Sequence, residues 1–223
     1  MHRKGAFSSF IIRLAVLATT ISVAAMIMAL AIVTGFKYEI REKLFSFWGH
    51  VHVEPRTMNA NTVIAPEPIE RDYGLEKSVT SVPHVVSIDA FAARPAIVNV
   101  NHMMEGLQLK GVDKNYKLPA SIDVQGRKID YSDTAYAKEI MLSAGVADKL
   151  NVKPGDILEL YFIEPGSVLP RIRKVKLAGT YHTGMEEIDK SYALCDLRLL
   201  QRVNGWDANK INGYQMQLDD DAM

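Results

Sequence analysis

Cysteine is almost absent from this chain, which has one such residue, Cys195, among 223. A single cysteine excludes an internal disulfide. The residue lies in the apolar context YALC, and no sequence pattern places an activating base beside it. Cys195 is therefore predicted to be a small buried side chain and not a nucleophile.

The sequence signatures of nucleotide binding and of common catalytic sites are also missing. The chain has no GxxxxGKS/T loop, no HExxH, no GxSxG and no GxGxxG in a βαβ setting. It carries no known signature for ATP binding. We accordingly predict no cofactor and no enzymatic activity.

Acidic residues are missing from the N-terminal region. No Asp or Glu precedes Glu39, whereas Arg3, Lys4 and Arg13 do, and residues 37–223 carry 23 basic and 26 acidic side chains. Phosphate binding needs a clustered cationic face, so this balance argues against a nucleic-acid surface. No nucleic-acid partner is expected.

One long apolar run follows this basic N-terminus. Residues 14–33, LAVLATTISVAAMIMALAIV, contain no charge, and twenty helical residues match a hydrocarbon core of about 30 Å. We predict a cytoplasmic segment at 1–13 and a transmembrane helix at 14–34, oriented by the positive-inside rule with residues 35–223 outside. A cleaved signal peptide is the alternative, since Ala29-Leu30-Ala31 mimics a cleavage site, but the run is longer than the usual apolar region and continues past that site.

Small side chains recur along this predicted helix at spacings of three and four. Such a stripe lets another helix approach closely, so we expect a partner helix here, although a lone anchor could be rich in small residues by chance. The stripe consists of Ala15, Ala18, Ser22, Ala25 and Ala29.

Helical spacing of apolar residues continues beyond the membrane run. In GFKYEIREKLFSFWGH, Phe36, Ile40, Leu44 and Phe47 keep this spacing, which predicts a helical stalk at 35–49 that stops near Gly49. For Phe45, Phe47 and Trp48, two interpretations remain: burial against a neighbouring domain, which we favour, and contact with a ligand.

The remaining chain, residues 50–223, changes to a mixed pattern of strands and short helices. Period-two alternation and turn residues predict strands at 50–55, 85–100 and 105–113, and short helices near Tyr73–Val79, Ala144–Leu150 and Leu197–Val203. A loop is expected over 114–138, and a hairpin turn at EPGSVLP. The predicted fold class is a membrane-anchored α+β protein.

Two clusters could in principle carry chemistry. His50 and His52 alternate with Val51 and Val53, which predicts a solvated histidine face in preference to a metal site, because no third ligand is spaced nearby. The stretch TYHTGMEEIDKSY, residues 180–192, has enough acid and base for a hydrolase site. A turn is the better interpretation, since adjacent carboxylates on a loop remain in water and keep ordinary acidity.

The order of these segments resembles a known family. GFKYEIREKL after the membrane run, then HVHVEP, KGVDKNY, EIMLSAGVADKLNVKPGDILELYF and VKLAGTYHTGMEEIDKSYALCDLRLLQRV resemble the lipoprotein-releasing ABC transporter permeases LolC and LolE, within the superfamily of MacB and FtsX permeases. The resemblance covers about residues 10–218. It implies a MacB-type periplasmic core domain over 50–223 and a chain that is an N-terminal fragment of a longer permease.

The resemblance also implies a function. The full protein would sit in the inner membrane with a second permease subunit and a cytoplasmic ATPase, and would pass lipoprotein cargo from membrane lipid to a periplasmic carrier. Residues expected to contact the lipoprotein or a partner helix are Met28, Phe36, Ile40, Phe45, Phe47 and Trp48. Alternatives are an FtsX-type permease that controls a cell-wall hydrolase, a MacB-type efflux protein, and a single-pass anchored binding module.

Overall fold

The computed structural model describes residues 4–55, 67–133, 135–164, 166–167 and 169–219, with side chains from residue 9 onward. Arg3, Pro66 and two residues of the predicted hairpin turn, Pro165 and Val168, lie outside the described residues. The chain divides into two compact units, one up to Glu42 and one from Lys43 onward.

The first unit is one continuous helix segment. Helix α1 spans Lys4–Trp48, and its residues from 9 to 42 are exposed. Its segment Ser9–Trp48 is long and apolar enough to cross a membrane, by length and composition. The hydroxyls of Thr19, Thr20 and Thr34 donate to carbonyls three or four residues earlier, so these polar groups are satisfied within the helix.

The second unit holds the other four helices and all eleven strands seen in the described residues. The helices are α2 (Tyr73–Thr80), α3 (Ala144–Lys149), α4 (Glu186–Ser191) and α5 (Leu197–Asn204). The strands are β1 (Val51–Val53), β2 (Ile69–Glu70), β3 (Val85–Val100), β4 (Met103–Val112), β5 (Asp123–Gly126), β6 (Glu139–Ser143), β7 (Ile157–Phe162), β8 (Arg171–His182), β9 (Tyr192–Asp196), β10 (Lys210–Ile211) and β11 (Gly213–Leu218).

Nine of these strands form one mixed sheet in the order β1-β11-β3-β4-β9-β6-β8-β5, and β7 pairs with both β3 and β8. The pairs β4–β9 and β6–β8 are parallel, and the other pairs are antiparallel. Because β7 joins two strands that β4, β9 and β6 otherwise separate, the sheet closes on itself as a ring of six strands. The strands β2 and β10 form a separate pair.

The two faces of this sheet pack against different helices. The larger core takes apolar side chains from all six strands of the ring and from α3 and α5. The smaller core includes Met141 and Leu194 from the other face of β6 and β9, Ile188 of α4, and Phe47 from the last turn of α1. Period-two alternation explains the division, since Ile140 lies in the larger core and its neighbour Met141 in the smaller one.

Helix ends in this unit follow local sequence signals. Asp196 precedes α5 and its carboxylate accepts from the Arg198 amide, and Ser143 caps α3 through the Val146 amide. Gly205 ends α5 with a left-handed backbone. The three short helices and the two long strands predicted from sequence are confirmed, with ends shifted by two residues at most. Cys195 is confirmed as a fully buried side chain.

Three local predictions were wrong. The loop expected over 114–138 contains the short strand β5, and the loop expected after Gly184 contains helix α4. The strand at His50 is real, but Val51 and Val53 are both 39% exposed, so neither valine is buried on an inner face.

Candidate functional site at the end of helix α1

The residues predicted to contact cargo or a partner helix fall in two places. Met28, Phe36 and Ile40 are exposed on α1 in the first unit, as are all five residues of the small-residue stripe, Ala15, Ala18, Ser22, Ala25 and Ala29. Their surfaces are available for an interaction, which remains a prediction. Phe45, Phe47 and Trp48 belong to the second unit.

Phe47 is fully buried in the second unit. Its ring lies 6.1 Å from that of Tyr181 and 5.8 Å from that of Tyr192, centroid to centroid. Trp48, half-buried, meets Tyr192 edge-on at 4.7 Å. Phe47 is thus buried in the second unit, which is the interpretation favoured from the sequence, and its contact with cargo or a partner helix stays a prediction. Phe45 and Trp48 keep part of their surface.

The last four carbonyls of α1 have no partner within the helix, as at any helix end, but here the domain supplies partners. The Gln217 amide donates to Phe45 O at 2.8 Å and to Ser46 O at 3.3 Å. His52 bonds to Trp48 O through Nε2, and the Gly49 amide donates to Phe45 O. These groups come from β1, β11 and the helix exit.

The fourth carbonyl, that of Phe47, accepts from Lys110 Nζ at 2.5 Å. Lys110 lies on β4 and is 1% exposed. Its Nζ also lies 4.6 Å from the Phe47 ring centroid, 4.8 Å from that of Trp48 and 5.5 Å from that of Tyr116. The helix end and the rings thus solvate a buried lysine in place of water.

Two effects shift the pKa of Lys110 in opposite directions. Burial lowers the pKa of Lys110 to about 7, and the nearby Asp89 carboxylate acts in the other direction. Burial likewise raises the pKa of the Asp89 carboxyl, which accepts a hydrogen bond from Ser87. Beside them, the Tyr116 hydroxyl and both side-chain amide atoms of Gln215 are also buried.

Sequence reasoning missed Lys110 and Gln217. Leu107 and Leu109 face the larger core, and alternation along β4 places Lys110 on the opposite face of the strand. It is buried because the last turn of α1 covers this face of β4. The only signal in the sequence was the apolar aromatic end of the helix, which had to be covered by some part of the domain.

The stretch 180–192 is a structural connection. The Asp189 carboxylate, 7% exposed, accepts from the Thr183 amide at 3.0 Å, from the Thr183 hydroxyl at 2.8 Å, and pairs with His182 Nδ1 at 2.8 Å. Ser143 donates to the Asp189 backbone carbonyl. The Asp189 carboxylate is thus occupied by the turn that it closes, and Glu186 pairs with Lys190 in solvent.

This arrangement predicts that Asp189 contributes much more than Glu187 to the free energy of unfolding. Asp189→Asn removes the charge that three donors face, and we expect the free energy of unfolding to fall by about 1–2 kcal/mol. Glu187→Gln changes an exposed residue and should stay within about 0.5 kcal/mol. Urea unfolding followed by circular dichroism measures both, and equal effects would contradict the structural role of Asp189.

No group of three His, Cys, Asp or Glu side chains is placed to hold a metal in the part of the chain that the structure describes. His50 and His52 instead contact the helix end: the His50 ring lies 4.7 Å from that of Phe45, and His52 lies 5.7 Å from Trp48. His52 is exposed, which agrees with the predicted solvated face, whereas His50 is half-buried beside Phe45.

The described residues contain one long N-terminal helix, followed along the chain by a mixed sheet that closes into a ring. A family model described as the MacB-like periplasmic core domain matches residues 13–222. The chain belongs to this family. The predicted fold class is thereby confirmed.

Curated members with similar sequences are lipoprotein-releasing system transmembrane proteins. The chain is 23% identical to LolC of Xylella fastidiosa and 23% identical to LolE of Haemophilus influenzae, over 98% of its own length in each case. The matched regions cover 51% and 52% of those proteins. The chain spans about half the length of the curated relatives it matches.

A solved structure agrees on the fold. The extracellular domain of the noncanonic ABC-type transporter YknZ from Gram-positive bacteria matches with a TM-score of 0.50 at 18% identity, over 75% of this chain and 82% of that domain. At this identity the likeness shows the MacB-like fold alone.

Proposed function

We propose that this MacB-like chain is part of a permease subunit of an ABC transporter that releases lipoproteins from the inner membrane. The observation that carries the proposal is the similarity to LolC and LolE along 98% of the chain, helix and domain together. An apolar helix joined to a MacB-like domain is the arrangement such a subunit needs.

The proposed topology follows from charge and length. Residues 1–13 are cytoplasmic, 14–34 cross the inner membrane, 35–49 form the stalk, and 50–223 form the periplasmic domain. The basic residues before the apolar run support this orientation. The proposed source of energy for release is ATP hydrolysis by a separate cytoplasmic subunit, as the similarity to LolC and LolE implies.

The need for an energy source follows from the cargo. Each buried CH₂ of an acyl chain contributes about 0.8 kcal/mol to membrane affinity, so a lipoprotein with several chains leaves the bilayer slowly. Exposed apolar side chains on α1, among them Met28 and Phe36, offer such chains a surface during extraction. The small-residue stripe is the proposed contact with the second permease subunit, and a periplasmic carrier receives the cargo.

A second candidate is an FtsX-type permease that transmits ATPase cycles to an external hydrolase. The observation in its favour is the attachment of the helix end to the sheet. Phe47 is fully buried there, and the last four carbonyls of α1 accept hydrogen bonds. Such an attachment suits the transmission of force from the helix to the domain.

Photocrosslinking in the membrane separates these functions. We expect probes at positions 28 and 36 of the full-length protein to capture lipoprotein, with capture decreasing once ATP is hydrolysed. Probes at 45 and 48 should capture less, because these side chains are half-buried. Position 157, whose isoleucine is 68% exposed on the second unit, is the control for random capture.

A failure to capture lipoprotein at positions 28 and 36 would also be informative. Crosslinks from 28 and 36 only to another permease subunit, or to a hydrolase, would turn this part of α1 into an assembly surface and favour the FtsX-type function. Capture of lipoprotein at 157 as strongly as at 28 would show that the probes report proximity to the membrane and not a cargo path.

A further inference from the structure

The junction between the last turn of α1 and the sheet contains a buried lysine that forms no ion pair with a carboxylate in the described part of the chain. Lys110 is 1% exposed, and its one hydrogen-bond acceptor in the described residues is Phe47 O. Burying a charge costs free energy that an ion pair usually offsets. Here the offset comes from a carbonyl, three aromatic rings and the more distant charge of Asp89.

The last turn of α1 supplies three of the groups that lie close to Lys110 Nζ. Phe47 supplies the carbonyl and a ring, and Trp48 supplies a second ring. If this turn moves off the sheet, the lysine regains water and loses the cost of burial. A charged Lys110 therefore favours the open junction over the closed one.

We propose that Lys110 makes the attachment of the α1 end to the sheet releasable, by opposing the closed junction whenever it carries its proton. The surrounding bonds hold the junction closed: Gln217 on two carbonyls, His52 on a third, and the His50 amide on Met216 O at 2.7 Å. The lysine sets how easily they open. The inference concerns the junction itself and does not depend on which cargo the protein moves.

The sign of the pH dependence follows from linkage. In the closed junction the pKa of Lys110 is about 7, whereas a lysine in water keeps its proton to above pH 10. Between these values the open state binds more protons, so raising the pH stabilises the closed state. Below about pH 7 both states are protonated and the opening equilibrium is constant.

Other groups that face this junction could contribute to its titration. They are Asp89 on β3, Tyr116 in the loop after β4, His50 and His52 at and after the helix exit, Tyr181 on β8 and Tyr192 on β9. Burial raises the pKa of the three tyrosines, which keeps them neutral over the range of interest. The two histidines are the groups to control for, so His50→Gln and His52→Gln belong in the experiment.

Hydrogen exchange tests the proposal in the intact protein in lipid nanodiscs, without cargo or ATPase. The peptide covering residues 45–52 contains the Gly49 and His50 amides, which donate to Phe45 O and Met216 O. After correction for base catalysis, we expect its opening equilibrium to be flat below pH 7 and to fall by roughly tenfold per pH unit from 7 to 9. His52→Gln should open more at every pH yet keep this slope.

The deciding variant is Lys110→Met, which keeps a similar shape without charge. We expect its junction to open roughly tenfold less than the wild type at pH 7, with no dependence on pH, because the buried charge is gone. Lys176→Met, a change at an exposed position of β8, should behave as wild type.

Faster exchange in Lys110→Met would overturn the proposal and make Lys110 a stabilising cap. A wild-type junction that opens more as the pH rises would do the same without any variant, so the test survives if Lys110→Met folds poorly. Because neither cargo nor ATPase is present, failure here leaves the proposed lipoprotein release untouched, and failure of the crosslinking leaves this result untouched.

Discussion

Phe47→Ala is expected to lower the free energy of unfolding of the second unit by about 3–5 kcal/mol, the range found when a buried Phe is truncated to Ala. Phe47 is fully buried, and its ring contacts those of Trp48, Tyr181 and Tyr192 in the smaller core. Truncation removes this packing and uncovers Lys110, whose Nζ lies 4.6 Å from the ring centroid. The expected loss therefore comes from the cavity and the lost packing, and hydration of the uncovered Lys110 offsets part of it.

Urea unfolding of residues 1–223 in detergent micelles measures the loss. Trp206, which packs against the larger core, reports the second unit by fluorescence. The matched control is Ile157→Ala, another apolar truncation in the same unit at a side chain that is 68% exposed, for which we expect a change within about 0.5 kcal/mol. A loss below about 1 kcal/mol for Phe47→Ala would mean that the helix end contributes little to this core.

Gly179→Ala is expected to cost roughly 3 kcal/mol, near the upper end of the usual range for overpacking. A Cβ at Gly179 would lie 2.5 Å from Arg127 O and 2.6 Å from Gln125 O, both backbone atoms of β5 or its exit. The residue pairs with Gly126 of β5 on one side and Met141 of β6 on the other. One methyl group must therefore push an edge strand off the sheet.

The matched control is Gly106, a glycine in another strand of the same sheet. Gly106 on β4 has nothing within 4 Å of a Cβ, so Gly106→Ala should be neutral or stabilise the fold by about 0.4–1 kcal/mol. The two variants make the same chemical change with opposite expected signs, and the same urea titration measures both. Equal destabilisation would show that glycine is needed at both sites for a reason other than space.

Much of the fold was readable because its signals are local. The twenty uncharged apolar residues at 14–33 and the helical spacing through Phe47 predicted a long helix, and α1 runs to Trp48. Strands β3 and β4 follow from alternation, and α5 from an N-cap aspartate. Each of these patterns lies within the residues that form the element.

The missed elements depend on partners far along the chain. Strand β5, with the sequence DVQG, has no alternation of its own and exists because it pairs with β8. Helix α4 is six residues of mostly polar sequence, and what holds it is the burial of Ile188 and the bonds of Asp189 to Thr183. Neither stretch carries a periodic signal strong enough to predict.

The candidate site shows the same division. Helical spacing placed Phe36, Ile40 and Phe47 on a helix, but spacing cannot say that Phe47 is buried while Phe36 is 65% exposed. That difference arises because the second unit begins at Lys43 and its sheet covers the last turn. For the same reason Asp189 differs from Glu187, two residues away in the same acidic stretch.

The sequence by itself determined a charge-free helix long enough to span a membrane, a mixed α/β domain after it, and a family, because hydrophobic periodicity, turn residues and order along the chain are properties of neighbours. Only the tertiary structure decided that β7 closes the sheet into a ring and that the end of α1 is bonded through its last carbonyls. It alone placed Lys110 in the core, because burial of a strand's outer face depends on what folds over it.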